Sequence, residues 1–326
     1  MLHRPPRGRT ASAGKAIPLN DLPAEERARR RDRPAAAAPP SPPDARTVSV
    51  RRSAAAAHNA RPAEERKRAP CGPAPAAEPG AAKTAEPTPP SVASGQGGEV
   101  LEVRRVRPDL LRLFIAKPAG LAYTPGQSLR LELEGTRRRY TLASAPHEPH
   151  LEFYVEIVPQ GRMTSKIARL KAGDRVEIAG APKGGIAFDE SAARHLMLAT
   201  VTGVNPFVSI LRDALHRGRR DLNCVLVHGA SHGDEFGYDT ELADLARRRP
   251  DLLTYIPTVS RPDDPRNAGW QGAKGRAESL VPAVRRRFEL PVGETAAYAC
   301  GHPGMVDNAR TALTELGYNV RTEKYD

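Results

Sequence analysis

Between residues 191 and 326, short apolar runs alternate with amphipathic segments four times over. Runs 194–200, 223–230, 253–260 and 295–301 are rich in aliphatic and β-branched residues and too short for buried helices, so they read as strands. Segments 204–215, 238–245, 280–288 and 304–317 carry helical spacing. Repeated βα units of this kind imply parallel strands, since each helix supplies the crossover of about a dozen residues or more that a parallel pair needs. The expectation is a doubly wound α/β sheet, with ligands at the carboxyl ends of its strands.

Residues 98–189 follow a different rule. Stretches 100–106, 111–116, 128–133, 151–158 and 175–178 alternate apolar with polar residues. Turn residues such as Pro125-Gly126 separate them. Strands at this spacing predict a small antiparallel β-barrel. The expectation is therefore two folded domains, 98–189 and 190–326, which suits a chain of 326 residues.

Residues 1–97 hold more than half of the 32 prolines. They are rich in Ala, Arg and Glu and poor in aromatic and β-branched clusters. Such a segment buries too little apolar surface to offset its ordering entropy, and is expected to be a disordered tail. In residues 1–98, 17 Lys+Arg face 9 Asp+Glu, so only about four of the twelve net positive charges belong to the rest. Arg27-Ala28-Arg29-Arg30-Arg31 could touch nucleic acid or an acidic protein, but lacks the interleaved aromatics of a nucleic-acid site. Cys71, Cys224 and Cys300 are scattered, with no Cys-x-x-Cys pair and no histidine cluster at ligand spacing. No metal site is expected, and the cysteine usage fits a cytoplasmic protein. No apolar run is long enough for a membrane span, and the first residues lack a signal-peptide core.

Chemistry concentrates in a few motifs. Arg138-Arg139-Tyr140-Thr141-Leu142-Ala143-Ser144 closes the β-rich run. On an extended strand Arg138 and Tyr140 share one face and Thr141 takes the other. An arginine, a ring and a hydroxyl so placed can pair a phosphate, cover a flat ring and hydrogen-bond its edge, as a bound flavin nucleotide requires. One strand later, Gly161-Arg162-Met163-Thr164-Ser165 opens an amphipathic segment, 166–170. Thr or Ser there can cap a helix whose free N–H groups face a phosphate. Thr200-Val201-Thr202-Gly203-Val204-Asn205-Pro206 follows the first strand of the α/β unit. Thr258-Val259-Ser260-Arg261, Gly275-Arg276-Ala277 and Cys300-Gly301-His302-Pro303-Gly304-Met305 come after it.

In this order the motifs resemble the ferredoxin–NADP reductase family, in particular its bacterial ferredoxin/flavodoxin–NADP reductase branch, over 98–326. The resemblance implies an FAD-binding barrel and an NADP-binding α/β domain. Arg138 would pair the FAD pyrophosphate, Tyr140 would pack on the flavin and Thr141 would reach its N5, with Ser144 in the same motif. Gly161, Met163, Thr164 and Ser165 would hold the pyrophosphate. Thr200, Thr202 and Gly203 would face the nicotinamide dinucleotide. Ser260, Arg261 and Arg276 would take the 2′-phosphate of NADP, a dianion that suits planar guanidinium donors. Cys300 would lie near the nicotinamide, Gly301 to Met305 would receive the nucleotide, and Tyr325 would cover the flavin. Thr141 and Cys300 are the expected catalytic pair.

Two residues depart from the family pattern: Val201 stands for a glycine and Asn205 for an alanine. Val201 fits only if its position needs no left-handed backbone, and nucleotide binding is expected to survive in weakened form. Ser231-His232 stand where relatives carry an arginine, so His232 could supply part of that contact. The implied activity is electron transfer between NADPH and a one-electron carrier, ferredoxin or flavodoxin. Such carriers are acidic, and the Arg137-Arg138-Arg139 rim could steer them. A reductase component of an oxygenase, a free flavin reductase and a nonenzymatic scaffold with a degenerate nucleotide site stay open as alternatives.

Overall fold

The computed structural model describes residues 96–325. The expected disordered tail and Cys71 fall outside the described residues, save Gln96 and Gly97, which open the first strand instead. They pair with Ile178 and Glu177. Gly98 follows where the chain passes so close to the second strand that a Cβ would stand 2.4 Å from the Ala116 carbonyl oxygen.

Six antiparallel strands come first: β1 (Gln96–Arg107), β2 (Leu110–Ala116), β3 (Ser128–Leu133), β4 (Thr136–Thr141), β5 (His150–Glu156) and β6 (Arg175–Ile178). Their order is β4-β3-β6-β1-β2-β5. The two ends nearly close into a barrel, because just past β4 the Ala143 N–H donates to the Glu152 carbonyl at 2.8 Å. Alternate residues point inward. Leu111, Leu113, Ile115, Leu129, Leu131 and Phe153 fill the interior, each fully buried. The helix expected from residue 164 is a single turn, α1 (Thr164–Ile167).

The second sheet holds β7 (Arg194–Thr200), β8 (Asn223–Ala230), β9 (Leu253–Val259), β10 (Ala273–Lys274), β11 (Thr295–Gly301) and β12 (Val320–Lys324). All its pairs are parallel, in the order β10-β9-β8-β7-β11-β12. The helices α2 (Asn205–His216), α3 (Asp239–Arg248), α4 (Val281–Arg287) and α5 (Pro303–Glu315) connect the strands. The winding reverses between β7 and β11. This is the switch point where an open α/β sheet leaves a crevice at its carboxyl edge. The edge strands β10 and β12 are short and polar, and alternation in the sequence did not mark them.

One apolar core crosses from barrel to sheet: Leu110, Ala143 and Tyr154 of the barrel pack with Phe207, Tyr238 and Tyr298 of the α/β unit. Among the described residues, no helix is long and apolar enough to cross a membrane.

Candidate active site

The carboxyl ends of β7 and β11 are clasped. His302 N–H donates to Thr200 Oγ1 at 3.0 Å. Gly301, at φ +131°, lies so close that a Cβ would stand 2.3 Å from that same oxygen. A Cβ on Gly203 would stand 2.2 Å from the Cys300 carbonyl oxygen. Both positions require glycine. The turn after β7 and the loop after β11 therefore form one surface.

The end of the barrel motif meets that surface. Thr141, 4 % exposed, donates its hydroxyl to Glu323 Oε1 at 3.1 Å. Glu323 on β12 pairs in register with Cys300 on β11. The Cys300 sulfur lies 4.0 Å from Glu323 Oε2. Tyr325 donates its N–H to the Gly301 carbonyl at 3.0 Å, and its enclosed hydroxyl, close to Cys300 and Thr141, makes no hydrogen bond of good geometry among the described residues. Burial pushes the Cys300 thiol well up, which favours its neutral form. Burial also raises the Glu323 carboxyl, and the Thr141 hydroxyl offsets part of that rise. Glu323 was missed from sequence. The signal was its i, i+2 spacing from Tyr325, which puts both on one face if the last residues form a strand.

On the barrel side, Arg138 and Tyr140 occupy one face of β4, in register with Leu131 and Leu129. The arginine run is not a uniform rim. Arg137 pairs with Glu132, and Arg139 donates to the Ser128 carbonyl. Among the described residues only Arg138 of the three has no partner. Tyr140 is half-buried, its ring edge-on to Phe153. Ser144 is not with them: it is fully buried, its hydroxyl bonded to Tyr123 and accepting from Glu152 N–H, so it braces the corner between β4 and β5.

The α1 turn differs from the capped helix expected. Neither Thr164 nor Ser165 caps it: Thr164 Oγ1 bonds back to Val158, and Ser165 Oγ donates to the Arg162 carbonyl. The Met163 side chain packs into the barrel core. Among the described residues, no acceptor takes the N–H groups of Arg162, Met163 and Thr164. A Cβ on Gly161 would stand 2.3 Å from Thr164 Oγ1 and 3.0 Å from the Val158 carbonyl oxygen, so a side chain there would displace the Thr164 hydroxyl. The main chain, not the hydroxyls, offers donors for a phosphate. Free N–H groups, an unpaired Arg138, a half-open Tyr140 ring and an enclosed Tyr325 hydroxyl together fit a flavin dinucleotide.

Val201 corrects the sequence reading. Its φ is +42°, so the position does need a left-handed backbone, and a β-branched residue occupies it under strain. Asn205 is aimed away from the crevice. Its Nδ2 donates to the Tyr154 carbonyl at 3.0 Å and its Oδ1 accepts from Tyr154 N–H at 3.2 Å. Thr202 lies half-buried on the same turn. Met305 packs into the core behind α5, so its side chain does not reach the crevice.

Val259 pairs with Lys274. Arg261 and Arg276 each stand two residues further on, so both leave the same sheet edge, with Ser260 between strand and arginine. All three are exposed, and among the described residues neither arginine makes an ion pair. His232 is spent elsewhere: 4 % exposed, it lies between Glu235 at 2.8 Å and Asp264 at 3.2 Å and cannot replace an arginine. Nearby, Trp270 stacks on Phe236 with ring centres 5.5 Å apart.

Charge holds the two sheets together. Glu152 of β5, fully buried, receives Arg212 of α2 at 2.7 Å and Arg112 of β2 at 2.6 Å, and the Tyr238 hydroxyl donates to it at 2.7 Å. Arg212 also pairs with Glu241 of α3 at 2.7 Å. Burial would raise the Glu152 carboxyl, but the two guanidinium groups outweigh it and hold it below the ordinary range. A polar groove of about 540 Å³ lies apart from this site, between β3, β6 and α1, where Lys166 pairs with Glu134.

The Oxidoreductase FAD-binding domain family matches residues 100–188, and the Oxidoreductase NAD-binding domain family matches 197–311. The flavodoxin/ferredoxin–NADP reductase of Escherichia coli (strain K12) is 31% identical over 223 residues, 64% of this chain and 86% of that one. The chain belongs to the ferredoxin/flavodoxin–NADP reductase family. A crystal structure of the ferredoxin NADP+ reductase from Neisseria gonorrhoeae with bound FAD and NADP superposes with a TM-score of 0.62 at 25% identity, over 72% of this chain and 99% of that one. The reductase component DmpP of a Pseudomonas phenol 2-monooxygenase is 31% identical over 225 residues, 67% of this chain and 61% of that one. As a member of the reductase family the chain is an FAD-dependent oxidoreductase with FAD and NAD(P) as cofactors. Electron transfer is the role its relatives share.

Proposed function

We propose that the chain moves electrons between NADPH and a small acidic one-electron carrier, ferredoxin or flavodoxin, with residues 98–189 holding FAD and 190–326 holding the nucleotide. The observation that carries this reading is the meeting of Thr141 with Glu323 and Cys300, where the barrel strand touches the crevice of the parallel sheet. FAD, when bound, supplies the step from a two-electron hydride to single electrons.

The residues supply the rest. Arg138 and the free N–H groups of 162–164 bind diphosphate, and Tyr140 lies along a ring. Thr141 offers a hydroxyl whose orientation Glu323 sets. Cys300 is small and uncharged, leaving room for a nicotinamide beside Gly301. Glu323, whose carboxyl is raised by burial, can hold a proton at Oε2 while Oε1 accepts from Thr141. Tyr325 closes the far side against water. Arg261 and Arg276 leave one edge unpaired, which supports NADPH over NADH as donor. A cytoplasmic setting goes with this reading.

The likeness to the DmpP reductase component supports a second reading, in which an oxygenase component is the acceptor. Anaerobic titration of the purified chain with NADPH and, separately, NADH tests the reductase activity. Flavin absorbance bleached preferentially by NADPH is the expected result. Protein that neither carries nor takes up FAD would overturn it. Turnover with ferredoxin, flavodoxin and oxygenase components then separates the two readings.

A further inference from the structure

The strained Val201 has a specific neighbour. The imidazole of His228, fully buried on β8, places Nε2 3.0 Å from the Val201 carbonyl oxygen. A carbonyl can only accept, so Nε2 carries the proton and donates. Nδ1 then accepts from the Tyr255 hydroxyl at 3.1 Å. Phe236 stands edge-on to the ring at 4.8 Å and fixes its plane. Among the described residues, no carboxylate or cation bonds to the ring, and burial keeps it neutral. Tyr255, His228 and Val201 thus form a directed chain of hydrogen bonds from β9 through β8 to the turn after β7.

That turn is the surface on which the proposed pyridine nucleotide rests. Thr200, just before Val201, accepts from His302, and Gly203, two residues after it, passes so close to Cys300 that a Cβ would stand 2.2 Å from its carbonyl oxygen. A relaxed Val201 would move both contacts. A valine leaves the left-handed region unless its surroundings over-determine it.

We propose that His228 is a positioning residue: its hydrogen bond holds Val201 in the left-handed conformation and thereby fixes the nucleotide turn against the Cys300 loop. The inference rests on the reductase reading above and gives the buried His228 a role in nucleotide affinity. It also explains how a chain with valine at this position keeps a binding turn that a glycine would form unaided.

A double-mutant cycle on the full chain tests it, reading KM for NADPH, kcat and the flavin spectrum. His228→Leu should raise KM at least fivefold, change kcat less, and leave the flavin spectrum unaltered. In a Val201→Gly background the same substitution should raise KM less than twofold, because glycine adopts the conformation without being held. His228→Gln, whose amide can still donate, should keep KM within about twofold of the native value and covers the case of a Leu variant that fails to fold. An equal rise in both backgrounds, or a Gln variant as impaired as Leu, would overturn the proposal. If the unmutated, FAD-loaded chain is not reduced by NADPH, the reductase reading itself has failed, a result seen before any variant is made.

Discussion

The side-chain amide of Asn205 closes both main-chain hydrogen bonds of Tyr154. Tyr154 lies on β5, the last strand of the barrel order, and among the described residues its N–H and carbonyl on this side have no neighbouring strand. Asn205, 3 % exposed at the start of α2, stands in for that strand. The residue that departs from the family pattern is thus a strut between the two sheets. Asn205→Ala should destabilise the protein by about 1–3 kcal/mol, since two buried backbone groups lose their partner. Denaturant unfolding would measure this, and an unchanged midpoint would deny the strut its role.

Glu152 is the most exposed to failure of the charged groups at the interface. Glu152→Gln removes the buried carboxylate that Arg112 and Arg212 share and leaves them Glu241 and, for Arg212, Glu148, so the cost should fall below the about 3–5 kcal/mol of a wholly broken buried pair. Simultaneous replacement of Glu152, Arg112 and Arg212 by apolar residues should cost less than the single change. Comparing the unfolding of both variants checks that order.

Arg261→Ala and Arg276→Ala should each raise KM for NADPH about tenfold or more, in line with the loss of a charge-assisted phosphate contact of about 1.5–3 kcal/mol. KM for NADH should hardly move. Steady-state kinetics with both donors decides it, and equal losses for both would place the arginines away from the 2′-phosphate.

Stability should fall on acidification through two buried histidines. Burial lowers both His195 and His228 to about 4. The unfolded chain takes up protons below its ordinary histidine value of about 6.5, while the folded one does not. Their contribution is therefore whole above that value and lost between about 6.5 and 4. Unfolding free energies measured across this range should slope accordingly, and His195→Gln should flatten the slope by about one proton.

Glu323 has the opposite sign. Its folded carboxyl is raised by burial, so stability is fully present below the ordinary carboxylate range and lost as pH rises through the folded value. Glu323→Gln should therefore be more stable than the native chain at pH 8 and no different at pH 4. Thermal unfolding at the two pH values checks this, while slower flavin reduction in the same variant would report its place beside Thr141.

The fold was legible because it rests on periodicity. The α/β alternation and the short barrel strands fix burial over many residues, and five strands, β3, β6, β7, β8 and β11, fall on their expected bounds. The parts of the site carried by contiguous motifs, such as Arg138 to Thr141 and Cys300 to Gly301, were also readable. What escaped is what distant segments make together. Asn205 and Val201 looked like losses because their compensating partners, Tyr154 and His228, are set by register and not by spacing. His232 looked available because nothing local announces that Asp264 will fold back onto it. Ser144, Thr164 and Met163 belong to the right loops, but their side chains turn inward and leave the main chain to face the crevice. β12 is short, polar and at an edge, where packing barely constrains composition.

The Thr141–Glu323 hydrogen bond spans 182 positions of sequence. A ribosome finishes the barrel long before it makes the residue that orients Thr141. Loop closure of that span precedes any reward from the contact. The Thr141 side of the proposed site is therefore made well before its Glu323 partner. Among the described strands β12 comes last, so the contact that Glu323 brings to the proposed site forms only after the other strands of the parallel sheet have been made.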